Sequence, residues 1–180
     1  MRGFFKGGVL LTCCAPLMTG QAMAATQGSL GATSTGSVFI NATVPGRVQI
    51  SGLTDIDFGT VDPTAAAASA EDVCVWSNTS GRGYTVTSSG DGAGNAFTLS
   101  DGANALAYAV EWSDTAGQAS GTALVSGTAL GGLASSATSP TCSAGPATTA
   151  SLIVKMTAAN LQAAVAGSYT GTLTLVVAPE

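Results

Sequence analysis

The side chains that most often carry out chemistry are scarce in this chain of 180 residues. It contains no histidine, so the usual general base and the commonest metal ligand are both missing. A serine–lysine pair would depend on Lys155, which alternates to the face opposite Leu152 and Val154 in a strand-like stretch. No nucleophile elbow accompanies it. The sequence therefore predicts a protein that is not an enzyme and uses no cofactor.

Acidic and amide side chains offer two further kinds of site. Asp55 and Asp57, and Asp91 between two glycines, have the side chains of calcium ligands, but further oxygen ligands at loop spacing are missing. Aspartates that form turns are the favoured interpretation. Asn41 and Asn78 begin glycosylation tripeptides, a pattern short enough to arise by chance. None of these residues predicts a site by itself.

The first 24 residues have the organisation of a secretory signal peptide. Arg2 and Lys6 give a positive start, residues 9–18 an apolar core, and residues 22–24 a small-residue cleavage site. A lipoprotein signal is the alternative, because Cys13 lies in the apolar run. We expect the mature chain to begin near residue 25 and to enter an oxidising compartment.

Two cysteines, Cys74 and Cys142, lie beyond this leader. In a chain that enters an oxidising compartment, a disulfide between them is the default expectation. Two thiols without a histidine do not predict a metal site. Trp76 and Trp112 have ring faces that stack on sugars, but their positions within strand patterns favour the core.

Composition and charge limit the partners and the fold class. The mature part has three basic residues against ten acidic ones, a net charge of −7, which repels nucleic acid and anionic lipid. Beyond the leader no segment is apolar enough to insert into a membrane. Only 8% of residues are charged and the mean hydropathy is +0.39, which argues against disorder. With recurring turn residues, these values indicate a single all-β domain of short strands.

Alternation of apolar side chains predicts about seven strands after residue 46. They cover residues 47–51, 71–77, 84–88, 96–100, 106–112, 151–157 and 169–177. Weaker extended pieces begin at Phe58 and lie around Leu124. Residues 71–77 and 84–88 are predicted to pair, and Asp101 and Gly102 to form the two-residue turn of a second hairpin. Residues 65–70 are interpreted as a connection, and residues 158–165 as one or two helical turns.

One more strand is predicted at the start of the mature chain, in residues 37–44. Its side chains alternate, with Phe39, Asn41 and Thr43 on one face. The other face carries Val38, Ile40, Ala42 and Val44. Pro45 cannot donate to a β-ladder and so separates this strand from the next. A spare apolar strand in front, with a chain that ends on another, suggests that one sheet is completed by a second molecule.

These segments carry a resemblance to a known family. Class 5 fimbrial major subunits, of the colonisation factor antigen type, have a mature N-terminus similar to SVFINATVPGRVQISGL. Pilins of the alternate and archaic chaperone–usher groups, including spore coat protein U-like domains, contain segments that resemble DVCVWSNTSGRGYTVTSSG and AGSYTGTLTLVVAPE. The resemblance covers nearly the whole mature chain.

The resemblance implies an incomplete immunoglobulin-like β-sandwich that lacks its last strand and is completed by donor-strand addition. A periplasmic chaperone would lend a strand first, and at an outer-membrane usher a neighbouring pilin would replace it. The donor side chains would be Val38, Ile40, Ala42 and Val44. The acceptor groove would be lined by Tyr169, Leu173, Leu175 and Val177.

The resulting organisation is a signal peptide in residues 1–24, an N-terminal extension with the donor strand in residues 25–45, and a pilin domain in residues 46–180. The predicted function is a structural subunit of a surface fimbria that supports adhesion or biofilm formation. Two alternatives remain open at this point. One is an adhesive or tip subunit that binds a surface or a glycan, and the other is a self-contained secreted β-sandwich that binds a ligand.

Overall fold

The computed structural model describes residues 24–180, and the chain divides into two units between Val44 and Pro45. In the first unit, Thr26 and Ser37 form an antiparallel bridge in which each backbone N–H donates to the other residue's carbonyl, at 2.8 and 2.9 Å. The second unit, Pro45–Glu180, contains the strands and the helix described below. Except for Ala24, the predicted signal peptide lies outside the described residues.

The second unit is built from ten β-strands and one short α-helix. The strands are β1 (Val48–Ser51), β2 (Ala67–Ser77), β3 (Gly83–Gly90), β4 (Thr98–Ser100), β5 (Ala105–Ala107), β6 (Ala109–Ser113), β7 (Thr122–Ala123), β8 (Ala129–Ala134), β9 (Ala150–Met156) and β10 (Leu173–Pro179). The helix is α1 (Ala158–Ala163). The predicted all-β fold is confirmed, and so is the short helix, which Thr157 caps by accepting a hydrogen bond from Asn160 N at 3.1 Å.

Two main sheets pack face to face. The larger has the strand order β1-β2-β9-β6-β7 and the smaller the order β10-β3-β8, while β4 and β5 form a separate hairpin. Each strand pair is antiparallel. Trp112 of β6 donates from Nε1 to the hydroxyl of Tyr84 in β3 at 3.1 Å, which joins the two sheets through the core. A sandwich of this kind buries one face of each sheet.

The predicted inner faces form the core. Leu106, Tyr108, Val110 and Trp112 are all buried, as their alternation predicts. From β9, the side chains of residues 152, 154 and 156 join them. Ile153, which alternates to the same face as Lys155, is also buried. That strand lies in the middle of the five-stranded sheet, where Ile153 is flanked by Ala70 of β2 and Glu111 of β6.

The predicted pairing of residues 71–77 with 84–88 is wrong. β2 pairs with β1 and β9, whereas β3 pairs with β10 and β8, so these consecutive strands belong to opposite sheets. The turn-rich link between them crosses the sandwich instead of closing a hairpin. Both strands have apolar inner faces, and packing across the core buries these faces against each other.

The second predicted hairpin exists, with a different turn. β4 pairs with β5, and Leu99 lies opposite Leu106. The connection has four residues instead of the predicted two. Asp101 organises it, because its Oδ1 accepts hydrogen bonds from the backbone N–H groups of Ala103 and Asn104 at 2.9 and 2.6 Å. The chain also breaks at Tyr108, so that β6 leaves the hairpin and joins the larger sheet.

Two further predictions about elements are wrong. Residues 67–70 are the first part of β2 and not a connection, because Ala67 to Ala70 pair with β9. The piece from Phe58 forms no strand, and neither do Leu124 and Val125. Residues 38–44 have no strand structure in the single chain, and their predicted pairing with a second molecule stays a prediction. A strand requires a hydrogen-bonded partner, and among residues 24–44 the backbone pairing is confined to the Thr26–Ser37 bridge.

Candidate strand-binding groove

An elongated apolar groove runs along one side of the second unit. It consists of two cavities of about 790 and 350 Å³. The cavities adjoin, since both are lined by Ile56, Phe58, Leu99, Met156 and Gly171. Residues 53–63 form one wall and residues 164–175 the other. We call this feature the β10 groove, because its second wall leads into β10.

The first wall is a segment without regular structure that follows β1. Glu71 of β2 fixes its start, since Glu71 Oε1 accepts hydrogen bonds from Thr54 N and, at 2.6 Å, from Thr54 Oγ1. Further along, Asp57 Oδ1 accepts from Gly59 N at 2.7 Å. Ile56 and Phe58 turn their side chains towards the core and are half-buried. Side-chain hydrogen bonds therefore hold this wall in place without a sheet ladder.

The second wall is held against the β4–β5 hairpin. Thr170 and Ser100 exchange backbone hydrogen bonds of 2.8 and 3.0 Å, and Asp91 Oδ2 accepts from Thr172 N at 2.8 Å. Gly171 suits this close approach, because a Cβ there would lie 3.0 Å from Leu99 Cδ2 and 3.1 Å from Thr98 O, and these neighbours would have to shift by a few tenths of an ångström. The wall is thus positioned before β10 begins.

The floor of the groove is the core of the sandwich. Leu152, Val154 and Met156 of β9 line it together with Tyr108 and Leu106. Each of these residues is buried, so an apolar side chain that enters the groove would contact the core directly. Glu71 contributes one polar atom, Oε2, which is buried and has no hydrogen-bond partner among the described residues.

β10 has the longest regular free edge of the two main sheets. It pairs with β3 in continuous register over seven residues, and its other side pairs with no strand among residues 24–180. The remaining edge strands are poor templates. β1 has four residues and β7 two, and β8 has a register shift and a glycine, Gly132, at φ +71°. A long edge with unpaired N–H and C=O groups is a template for another strand.

The structure places three of the four predicted groove residues at the groove. Leu173 and Leu175 line the smaller cavity and Tyr169 the larger one. Tyr169 was predicted to lie within the last strand, but it precedes β10. Its hydroxyl donates a hydrogen bond to Val165 O at 2.7 Å. Val177 lies on the same inner face of β10, packed on the core beyond the cavities. The first wall was not predicted, and its only signal in the sequence is the spacing of Ile56 and Phe58.

The predicted donor residues lie in the first unit. We refer to residues 37–44 as the arm. Val38, Ile40 and Val44 are 72%, 84% and 81% exposed, and Ala42 is exposed as well. Phe39, on the predicted opposite face, is 65% exposed. Contiguous exposed apolar side chains of this size mark a segment that gains free energy when it is buried.

The disulfide between Cys74 and Cys142 is present, with both residues buried. It attaches the loop between β8 and β9 to β2, and Trp76 packs beside it. The other tryptophan, Trp112, lies in the core as expected. Hydrogen bonds fix both ends of this loop separately, because Ser135 N donates to Arg82 O at 3.1 Å and Thr149 N to Val73 O at 2.8 Å.

The remaining candidate residues have structural roles. Lys155 Nζ donates to Glu111 Oε2 at 2.7 Å, and this hydrogen bond lowers the pKa of Glu111. Burial raises the pKa of Tyr84 to about 12 and also raises that of Tyr108, so both phenols stay neutral near pH 7. Within the described part of the chain, acidic and cysteine side chains form no cluster that would hold a metal ion. No helix in residues 24–180 has the length and apolarity needed to span a bilayer.

Comparison with known proteins gives one partial similarity. No family model and no curated protein matches the chain. Among solved structures, it is similar to a chain of the structure described as "Chaperone-tip adhesin complex is vital for synergistic activation of CFA/I fimbriae biogenesis". The identity is 16% and the TM-score 0.49 over 75% of this chain, which spans 41% of the length of that chain. The likeness is partial, and the role of that protein does not pass to this chain by it.

Proposed function

We propose that the protein is a structural subunit of a surface fimbria, assembled by donor-strand exchange. The arm of one copy fills the β10 groove of the next and pairs with the free edge of β10. The proposal is carried by one observation, an apolar groove beside a long free strand edge in a chain that also carries an exposed apolar arm. The resemblance of residues 37–53 to fimbrial subunits agrees with it.

Strand addition accounts for the chemistry of both surfaces. Backbone N–H and C=O groups of the arm would continue the β10–β3 ladder and supply affinity. Val38, Ile40, Ala42 and Val44 would enter the groove and contact its floor. Burial of the three larger side chains at about 1.5 to 3 kcal/mol each, with less from alanine, gives roughly 5 to 9 kcal/mol before entropic costs. Because association costs several kcal/mol, durable fibres also require slow dissociation.

The proposal includes partners and a location. A periplasmic chaperone covers the groove of the newly secreted subunit, an outer-membrane usher exchanges it for the arm of a neighbouring pilin, and the fibre extends from the cell surface. An exposed apolar groove favours aggregation, which gives the chaperone its physical role. The domain organisation follows, with a signal peptide in residues 1–24, an extension in residues 25–45 and a groove-bearing domain in residues 46–180.

The test compares the mature chain with a variant that lacks residues 34–44. Without boiling, the mature chain should run on an SDS gel as a ladder that collapses on heating. The deletion variant should give no ladder but should still capture a synthetic peptide of residues 37–44. A variant with the arm sequence scrambled is the matched control for length. A ladder from the deletion variant equal to that of the mature chain would refute the proposal.

A further inference from the structure

One side chain fixes the residues that join the arm to β1. Asn78 Oδ1 accepts a hydrogen bond from Arg47 N at 2.6 Å, and Asn78 Nδ2 donates to Pro45 O at 3.0 Å. The backbone N–H of Asn78 donates to Arg47 O at 3.1 Å. The last bond extends the β1–β2 ladder by one residue beyond the Val48–Ser77 pair. We call these three hydrogen bonds the Asn78 clamp.

Three further hydrogen bonds stabilise the backbone on either side of Asn78. Ser77 Oγ and Thr79 Oγ1, on either side of Asn78, each donate to Gly83 O at 2.9 Å. Glu180 N donates to the same carbonyl at 3.2 Å. The end of β2, the start of β3 and the residue after β10 therefore meet directly beneath the clamp. Because the residues next to Asn78 are themselves hydrogen-bonded to Gly83, the clamp fixes the position of Pro45 and Arg47 relative to β2 and β3.

The clamped segment lies beside the end of β10. A Cβ on Gly46 would be 3.7 Å from Pro179 Cβ, an ordinary van der Waals contact. Gly46, which follows the arm in the chain, therefore lies next to the C-terminal end of β10, whereas the N-terminal end of β10 borders the groove. Gly46 is also the residue with the most backbone freedom in this segment, and the flanking hydrogen bonds to Pro45 and Arg47 restrict it.

We propose, on the basis of the fimbrial function above, that the Asn78 clamp sets the stiffness of the joint between consecutive subunits. In a fibre the arm is held by the neighbouring subunit, and the clamp holds Pro45 to Arg47 against their own domain. The free joint is then the link between Val44 and Pro45, whose φ the proline ring fixes. Without the two side-chain bonds of the clamp, the backbone bond from Asn78 N still holds Arg47 O, but Pro45 and Gly46 join this link and lengthen it by about 7 Å.

The test measures the persistence length of fibres by electron microscopy. Asn78→Ala should lower it by at least about twofold, because a glycine-containing stretch that is no longer held behaves as a flexible linker. Asn104→Ala is the matched control, since it removes an amide that donates to Asp101 Oδ2 at 2.9 Å within its own turn. The control fibres should be as stiff as those of the unmodified chain.

Gly46→Ala tests the same joint in the opposite direction. The added methyl fits, and alanine has fewer backbone states than glycine, so the fibres should be at least as stiff as the unmodified ones. Hydrogen exchange in the monomer gives a readout that needs no fibre. The Arg47 amide should exchange roughly tenfold faster in Asn78→Ala, while amides in β9 exchange at their former rate.

The outcomes separate the two proposals. Unchanged persistence length in Asn78→Ala fibres, or an unchanged exchange rate at Arg47, would overturn the role of the clamp and leave the fimbrial function standing. Reduced capture of the arm peptide by Asn78→Ala would also overturn it, because Asn78 would then support the domain as a whole. If the unmodified chain formed no fibres, the fimbrial function would fall, and the clamp proposal with it.

Discussion

Shortening one arm residue, Ile40→Ala, should weaken the contact between subunits by a calculable amount. Ile40 is 84% exposed in the lone chain and would be buried in the groove of a neighbour. Isoleucine has three more carbon atoms than alanine, each worth about 0.8 kcal/mol when buried. Scaled by the exposed fraction, the loss is about 2 kcal/mol, which corresponds to roughly a 30-fold faster dissociation.

The assay follows exchange of a bound arm peptide. The groove of a subunit that lacks its own arm is filled with a labelled peptide of residues 37–44, and release is recorded after an excess of unlabelled peptide is added. Phe39→Ala is the matched control, because Phe39 is also exposed but lies on the predicted opposite face of the arm. It removes more carbon atoms than Ile40→Ala and should nevertheless change the release rate far less.

Two results would refute the reasoning. Equal release of the Ile40→Ala and unmodified peptides would show that this side chain is not buried in the complex. Faster release of the Phe39→Ala peptide than of the Ile40→Ala peptide would show that the arm binds through its other face. Since a one-residue slip exchanges the two faces, the pair of variants also determines the register.

Three further predictions concern the domain itself. Replacing Cys74 and Cys142 with alanine should lower the free energy of unfolding, measured by urea denaturation, by about 4 kcal/mol, because the disulfide closes a loop with a sequence separation of 68. A loss below about 1 kcal/mol would contradict the stabilising role of the disulfide. Hydrogen bonds from a serine hydroxyl and a backbone amide lower the pKa of Asp72, so the stability that this carboxylate contributes is present above its ordinary pKa near 4 and is lost as pH falls through the folded-state pKa. The melting temperatures of the unmodified chain and of Asp72→Asn should therefore differ at pH 7 and converge in acid. A difference that stays constant with pH would contradict this role of Asp72. Leu175→Asp should reduce capture of the arm peptide more than about tenfold, because it places a charge in the groove. Val176→Asp, on the outer face of β10, should leave capture unchanged. Equal effects of the two variants would exclude the inner face of β10 as the binding surface.

Side-chain alternation predicted inner faces well and strand partners poorly. Leu106, Tyr108, Val110 and Trp112 are buried as predicted, because period-two alternation is a local property that any pairing preserves. The partner of residues 71–77 was wrong, since proximity in sequence favoured a hairpin and the core favoured a crossing between sheets. Nearness along the chain is a weak guide once two inner faces can pack across a sandwich.

The candidate site was predictable on one side only. The residues of β10 that face the core were evident from their alternation, and Leu173 and Leu175 do line the groove. The opposite wall was not evident, because side-chain hydrogen bonds such as those between Thr54 and Glu71 hold it in place, and such contacts leave no period in the sequence. For the same reason the Asn78 clamp could not be foreseen from a tripeptide that matched a glycosylation pattern.

The sequence by itself determined the all-β class, through local side-chain alternation, and the disulfide partners, because only two cysteines follow residue 24. Only the tertiary structure decided which strand edge stays free, where the groove lies and how Asn78 holds residues 45–47, which follow the arm. These properties depend on which distant backbone groups find hydrogen-bond partners, and that choice is made when the whole core packs.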